Sequence, residues 1–238
     1  MFAISSLPIF RQIPQHFRRT MAQSAGSKSG KKLITIDISS DTVCPWCFVG
    51  KKNLDKAIDA VKDQFDFEVR WHPFFLDASA PKEGVSKKDY YFKKFGRGTD
   101  QINSRLTQMF KGLGLEYNFS GLTGSSLDSH RLIYFAGKQG PEKQHAVVEE
   151  IMSGYFTQAK FVGGRDFLLE CARKAGVEGA AEFLDNPENG QKEVHGELQQ
   201  YSSHITGVPH FLINGVQLSG GQPPESFLSV FQKVASQK

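Results

Sequence analysis

The chain has 238 residues, of which 39% are hydrophobic and 23% are charged, a balance typical of globular proteins. No apolar run is long enough to cross a bilayer, and three cysteines are too few for a disulfide-stabilised secreted scaffold. The length allows one large domain, or one domain that carries an insertion.

Residues 1–30 differ in composition from the rest of the chain. They include several serines and no acidic residue, and their basic side chains are Arg11, Arg18, Arg19 and Lys28. This composition is typical of a mitochondrial or chloroplast transit peptide, or of a disordered basic tail. The formal net charge of +4 comes from this segment alone, because it holds four of the 29 basic and none of the 25 acidic residues. We therefore predict a cytoplasmic or organellar protein without a nucleic-acid-binding face.

The motif Cys44-Pro45-Trp46-Cys47 lies between a β-type run at 33–38 and a helical pattern that extends to Val61. Cys44 is thus expected at a helix N-terminus, where unpaired N–H groups and the helix dipole favour a thiolate. Pro45 suits the first helical turn. Because Cys47 follows three residues later, the two thiols can close a small disulfide ring. The pattern predicts a redox-active dithiol.

A Cys-x-x-Cys pair can also be half of a zinc site, or structurally inert. Zinc needs two further ligands, usually at a second tight spacing. The remaining cysteine, Cys171, lies far downstream on the apolar stripe of a predicted helix and has no spaced histidine pair near it. We therefore predict no metal site and interpret Cys171 as a buried core thiol rather than a resolving cysteine.

The run from Phe67 to Phe74 alternates and is rich in aromatic residues, which predicts a second strand ended by Pro73 and a parallel βαβ unit. His72 at the strand end is interpreted as a rim histidine, with a general base as the alternative. From Ser86 to about Thr206 the apolar spacing is helical throughout.

Strand signals return at 207–213 and 216–219, and the Asn214-Gly215 pair between them predicts a β-hairpin with a type I′ turn. Pro223-Pro224 then opens a final helix. The predicted order is β-α-β, a helical block, and β-β-α.

This α/β order resembles a thioredoxin-like fold with an α-helical domain inserted between its βαβ and ββα halves. The resemblance is to DsbA-like thiol–disulfide oxidoreductases, in particular the FrnE-like branch of the thioredoxin superfamily. It rests on 40–47 with Gly50-Lys51, on Ser129-His130-Arg131-Leu132, on 206–211 and on 220–225. The thioredoxin-like domain would comprise 31–85 and 206–238, and the inserted helical domain 86–205.

The resemblance implies a role for several residues. Cys44 would be the attacking nucleophile and Cys47 the resolving thiol. Pro209 would be a cis-proline facing the disulfide, with a trans strand-initiating proline as the alternative. Val208 would then offer its backbone to an extended substrate. Further candidates are Trp46 and Phe74 as apolar substrate contacts, His130 and Pro45 as motif support, and Asp37 as a proton acceptor under Cys47 or a solvated strand carboxylate.

We interpret the chain as a thiol–disulfide oxidoreductase or isomerase acting on a disulfide- or thiol-containing protein or small molecule. No metal or organic cofactor is expected, and glutathione is a candidate reductant. Strongly oxidising relatives carry His where Trp46 stands, so a more reducing couple is expected here. The alternatives are a glutathione-dependent isomerase or transferase related to kappa glutathione transferases, and a redox-inert peptide-binding module. The sequence carries no signal for an oligomeric state.

Overall fold

A four-stranded sheet forms the centre of the structure. The computed structural model describes residues 30–237, so the predicted leader lies outside it apart from Gly30. The strands are β1 (Lys32–Ser40), β2 (Phe65–Pro73), β5 (His210–Ile213) and β6 (Val216–Ser219), in the order β2-β1-β5-β6. β1 is parallel to β2 and antiparallel to β5, which is antiparallel to β6.

Helix α1 (Pro45–Val61) connects β1 to β2, and helix α9 (Pro224–Ser236) follows β6 and packs against α1. The first two strands extend slightly beyond the predicted limits, since β1 reaches Ser40 and β2 begins at Phe65. The predicted βαβ and ββα units are both present. They meet where β1 pairs with β5, which places the end of β1 beside the start of β5.

The segment between β2 and β5 is mainly helical. Its helices are α2 (Lys87–Phe95), α3 (Thr99–Gly112), α4 (Leu127–Gly137), α5 (Pro141–Thr157), α6 (Arg165–Lys174), α7 (Ala180–Asp185) and α8 (Gln191–Glu197), followed by a π-helical turn at Leu198–Ser202. The prediction of helix throughout was wrong at two places. Strands β3 (Val85–Ser86) and β4 (Leu122–Thr123) pair antiparallel. Two-residue strands are too short to show any periodicity. No helix within residues 30–237 is long and apolar enough to cross a membrane.

The helical segment shares its core with the sheet domain. Phe48 of α1 stacks on Phe156 of α5, with ring centroids 5.6 Å apart, and Phe110 of α3 lies 5.8 Å from Phe48. All three rings are buried. Aromatic pairs at this spacing add about 0.5–1.5 kcal/mol beyond their buried area. This cluster therefore fixes α3 and α5 over the helix that begins at the cysteine motif.

The β5–β6 hairpin is fastened to β1 at its turn. Asn214 and Gly215 both have positive φ, 42° and 86°, as a type I′ turn requires. Asn214 Oδ1 accepts hydrogen bonds from the backbone N–H and the hydroxyl of Thr35, each at 2.8 Å. The turn residues that signal the hairpin in the sequence thus also set its position in the sheet.

Helix α1 approaches the start of β5 closely at Gly50. A Cβ atom at this position would lie 3.0 Å from the Phe211 ring and 3.1 Å from the Pro209 ring. Phe211 is fully buried against Phe227, so it has no room to move. The absence of a side chain at Gly50 lets the cysteine motif lie beside the loop that precedes β5.

We predict that Gly50→Ala lowers the free energy of unfolding by about 1–3 kcal/mol through overpacking. The control is Gly196→Ala in α8, where a Cβ would meet no atom within 4 Å. That change should raise the free energy of unfolding by up to about 1 kcal/mol through helix propensity. Urea unfolding of both variants measures the difference. A Gly50→Ala protein at least as stable as the wild type would show that the close approach is no constraint.

Candidate active site

Cys44 occupies the N-cap position of α1. Its backbone is extended (φ −87°, ψ 113°), and Pro45 follows as the first helical residue. The Cys44 N–H donates to the Asp41 carbonyl at 3.1 Å, and the Cys44 carbonyl accepts from the Cys47 N–H at 3.1 Å. The first turn contains no acidic residue. The local fold therefore places the sulfur where the helix dipole favours negative charge.

The Cys44 side chain lines a cavity of about 410 Å³, within the range of about 300–1,000 Å³ found for small-molecule sites. The cysteine motif contributes Val43, Cys44, Pro45 and Trp46 to its wall. The remaining wall comes from the loop after β2, from helices α2, α3 and α5, from the β4 region and from the loop before β5. These further lining residues include Leu76, Asp77, Tyr90, Tyr91, Lys94, Phe95, Arg105, Thr123, Tyr155, Gly207 and Val208.

The loop before β5 meets the thiol at Val208. The Cys44 thiol donates to the Val208 carbonyl with an Sγ–O distance of 3.8 Å. The Val208–Pro209 peptide bond is cis. Val208 lines the cavity, whereas the Pro209 ring is buried toward Gly50 of α1 and is not part of the lining. The residue that faces Cys44 from this loop is thus Val208.

Cys47 lies one helical turn deeper and is fully buried, whereas Cys44 is 4% exposed. All three cysteines of the chain are free thiols. Burial raises the pKa of Cys47 well above its ordinary value, and the neighbouring Cys44 thiol raises it further. The Ser40 hydroxyl and the Asp41 backbone lower the pKa of Cys47, but these effects are smaller than those that raise it. The pair is therefore asymmetric, with one thiol at a cavity wall and one held protonated behind it.

Comparisons with known proteins identify the family of this chain. Residues 35–232 match the family described as DSBA-like thioredoxin domain. The chain belongs to this DsbA-like family. It is similar to a probable DsbA oxidoreductase, SCO1869, from Streptomyces coelicolor, with 27% identity, a TM-score of 0.75 and coverage of 86% of this chain and 91% of that one. It is also 26% identical to the uncharacterized protein YwbO of Bacillus subtilis over 85% of this chain and 96% of that protein.

A further structure shares the fold at lower identity. It is the cytosolic disulfide reductase DsbM from Pseudomonas aeruginosa, at 19% identity and a TM-score of 0.53, with coverage of 85% of this chain and 100% of that one. The predicted α/β fold class and the DsbA-like resemblance are confirmed. The assignment to the FrnE-like branch stays a prediction.

Two predicted site residues of this DsbA-like protein lie away from the thiols. Asp37 Oδ1 lies 2.8 Å from Nε2 of His72, and the buried side chain that acts on Cys47 is Ser40. Side chains alternate along a strand, so Asp37 and Ser40 of β1 point to opposite faces. The prediction of Asp37 as a proton acceptor under Cys47 was wrong for this reason.

Phe74 was predicted as a substrate contact, but it does not line the cavity. Its backbone carbonyl accepts a hydrogen bond from His130 Nε2 at 3.2 Å. The same His130 nitrogen lies 3.6 Å from Oδ1 of the buried Asp41, whose Oδ2 accepts from the Leu76 N–H at 2.8 Å. Both groups close to His130 Nε2 are hydrogen-bond acceptors. The ring N–H hydrogen is therefore assigned to Nε2. His130 and Asp41 therefore hold the loop after β2 against the start of the motif.

The helical segment supplies cavity residues that the sequence did not indicate. Tyr90, Tyr91 and Phe95 of α2, Arg105 of α3 and Tyr155 of α5 all line the cavity. They are separated by up to 65 positions and share no motif. Their common position follows only from tertiary packing, with α3 and α5 against α1 and α2 against α3. Within residues 30–237, no group of three or more His, Cys, Asp or Glu side chains is placed to hold a metal ion.

His72 is buried at the end of β2, away from the cavity. It stacks on Tyr201 with ring centroids 3.6 Å apart and lies 3.6 Å from a Glu197 carboxylate oxygen. Burial alone would lower the pKa of His72, but the interactions with Asp37 and Glu197 outweigh it and raise the pKa. His72 is thus a structural ion-pair partner. The interpretation as a rim histidine was wrong because His72 is buried. The general-base alternative was wrong because His72 does not line the cavity beside Cys44.

This raised pKa predicts a pH-dependent stability. The contribution of the His72 cation is fully present below the unfolded-state pKa of about 6.5 and is lost as the pH rises through the higher folded-state value. The difference in unfolding free energy between the wild type and His72→Gln should therefore shrink from pH 6 toward pH 9. NMR titration of the imidazole should give a midpoint above about 6.5. Parallel stability curves for the two proteins would contradict the ion pair.

A second prediction concerns thiol reactivity. At pH 8 iodoacetamide should modify Cys44 first in the reduced native protein, because this sulfur faces the cavity. Cys47 and Cys171 should stay unmodified, since burial raises the pKa of both thiols, that of Cys171 to about 12. Peptide mass spectrometry identifies the modified residues, and all three should react in denaturant. Equal labelling of Cys44 and Cys47 would contradict the asymmetry of the pair.

Proposed function

We propose that this DsbA-like protein is a thiol–disulfide oxidoreductase whose redox centre is the Cys44–Cys47 dithiol. The observation that carries the proposal is the asymmetry of the two sulfurs. Cys44 sits at a helix N-terminus and faces a cavity, while Cys47 is fully buried one turn behind it. A nucleophile must reach its substrate, and a resolving thiol needs only to reach the nucleophile.

The proposed reaction has two exchange steps. The Cys44 thiolate attacks one sulfur of a disulfide, which forms a mixed disulfide and releases the other sulfur as a thiolate. Cys47, after losing its proton, attacks the Cys44 sulfur and releases the second substrate thiol. The substrate gains two electrons, and the protein is left with a Cys44–Cys47 disulfide.

We propose glutathione as the thiol that reduces this disulfide again. Two glutathione molecules would supply the two electrons and leave as glutathione disulfide, so no further cofactor is required. The small cavity beside Cys44 suits a reductant of this size class better than a folded protein.

The backbone of Val208 is the proposed contact for the substrate next to the reacting sulfurs. Its carbonyl already lies within hydrogen-bonding distance of Cys44 Sγ, so a bound disulfide would sit between this carbonyl and the motif. Trp46 lines the same cavity and is the proposed apolar contact for the substrate. Pro209 acts indirectly, as the buried residue that holds Val208 against α1.

We predict that Cys44→Ser abolishes reduction of a model disulfide, whereas Cys47→Ser accumulates a mixed disulfide that mass spectrometry detects. Cys171→Ala is the control: it should retain turnover and lose about 1–3 kcal/mol of stability from the core. Turnover by Cys44→Ser equal to that of the wild type would reject this redox centre, and rates no higher than the uncatalysed rate in both proteins would favour a redox-inert binding module. Loss of turnover in a folded Cys171→Ala protein would instead identify a third redox thiol.

A further inference from the structure

Access to Cys44 is restricted by the helical segment. The residue is only 4% exposed, and its side chain faces the cavity rather than the protein surface. Aromatic side chains of α2 and α5 form much of the wall, among them the half-buried Tyr91, the fully buried Tyr155 and the exposed Phe95. The space opens to solvent beside the exposed Leu76 and Phe95, and we expect a disulfide on a rigid folded surface to reach Cys44 less readily than a small one.

The acidic side chains of the cavity wall are already engaged. Asp77 accepts hydrogen bonds from the Tyr90 hydroxyl at 2.5 Å and from the Ser79 N–H and hydroxyl at 3.0 and 2.7 Å. The hydrogen bond from Tyr90 is the main cause of the lowered pKa of Asp77. Asp41 is buried and accepts from the Leu76 N–H. Neither carboxylate has its full hydrogen-bonding capacity left for a ligand.

The basic side chains of the wall are not engaged in this way. The Arg105 guanidinium lies over the Trp46 ring, 5.2 Å from its centroid, and no carboxylate within residues 30–237 approaches it to ion-pair distance. Lys94 lies over the Tyr90 and Phe95 rings at 5.7 and 5.9 Å. It helps to lower the pKa of Asp77 without an ion-pair contact. Arg105 is therefore the cation with the most capacity for a ligand.

We propose that the cavity selects small disulfides and thiols that carry a carboxylate, with Arg105 as the main carboxylate-binding residue and Lys94 as a second one. This inference rests on the proposed function and defines its substrate class. A guanidinium binds a carboxylate through two parallel hydrogen bonds. Because Arg105 stacks on Trp46, two residues after Cys44, one small molecule can place its sulfur at Cys44 and its carboxylate at Arg105.

The redox step is the thiol–disulfide exchange through Cys44 and Cys47. A symmetrical disulfide receives two electrons from the Cys44–Cys47 dithiol and leaves as two thiols, while the protein acquires one disulfide bond. The carboxylate takes no part in the electron transfer. Its ion pair with Arg105 holds the disulfide in the cavity with one sulfur directed at Cys44.

The test compares three disulfides of similar size and different charge: 3,3′-dithiodipropionate, bis(2-hydroxyethyl) disulfide and cystamine. Reduced protein is mixed with each one, and released thiol is measured in a single turnover, so that no external reductant is present. For each disulfide the rate constant of a variant is divided by that of the wild type. This ratio removes the intrinsic reactivity of the compound.

Arg105→Gln should slow reaction with the anionic dithiodipropionate by about five- to tenfold, as expected for loss of one charge-assisted hydrogen-bonded pair. Its reaction with the neutral disulfide should change less than about twofold, and that with cationic cystamine should rise through reduced repulsion. Arg105→Lys should retain part of the preference for the anion. Lys94→Gln should show the same pattern more weakly. Added salt should reduce the preference in the wild type.

The control variants are Lys111→Gln on α3 and Lys93→Gln on α2, which change the net charge equally at exposed positions outside the cavity lining. They should leave all three ratios near one. Equal ratios for the three disulfides in Arg105→Gln would overturn the charge selection. Reduction of insulin as fast as dithiodipropionate would overturn the restriction to small disulfides.

The results that would contradict the selectivity do not contradict the proposed oxidoreductase function, provided that turnover still requires Cys44. Wild-type rates for all three disulfides in Cys44→Ser would instead overturn the proposed function itself. The two failures are therefore distinguishable within one set of measurements.

Discussion

The close approach of α1 to the start of β5 is the constraint on which the site depends. Gly50 allows this approach because a Cβ there would press on Phe211 and Pro209. The approach brings Val208 to within 3.8 Å of the Cys44 sulfur. It joins the βαβ unit that carries the thiols to the ββα unit that carries the facing loop. A sulfur at a helix N-terminus becomes part of a binding site only once this second wall is in place.

The inserted helices give the site its second property, which is enclosure. The Phe48, Phe110 and Phe156 cluster fixes α3 and α5 over the cysteine helix. Arg105 of α3 and Tyr155 of α5 thereby reach the cavity wall, and α2 adds Lys94 and three further aromatic rings. We infer that the packing that completes the hydrophobic core also limits which molecules can reach Cys44. Stability and the proposed selectivity would then depend on one set of contacts.

The sequence predicts what local patterns encode. The strand–Cys-x-x-Cys–helix order, the Asn214-Gly215 turn and the final helix after Pro223 each depend on a few neighbouring residues, and all are present in the structure. The cavity could not be predicted, because Arg105 and Tyr155 meet Cys44 only through tertiary packing. The prediction for Asp37 was wrong for a related reason. Side chains alternate between the two faces of a strand, and Ser40 rather than Asp37 lies on the face toward Cys47.

In the proposed mechanism, the burial around the site would also separate the two chemical steps. Cys44 would meet its substrate at the cavity wall, at the N-terminus of α1. Cys47 must lose its proton in a fully buried position, where burial raises its pKa. Exchange rates rise with the thiolate fraction of the attacking sulfur. The Ser40 hydroxyl is the side chain that acts against this effect. It is buried and has no standard hydrogen-bond partner in the described part of the chain, so it is free to donate to a Cys47 thiolate when one forms. In the proposed mechanism, this polar group at the end of β1 would thus support resolution of the mixed disulfide while Cys47 stays buried.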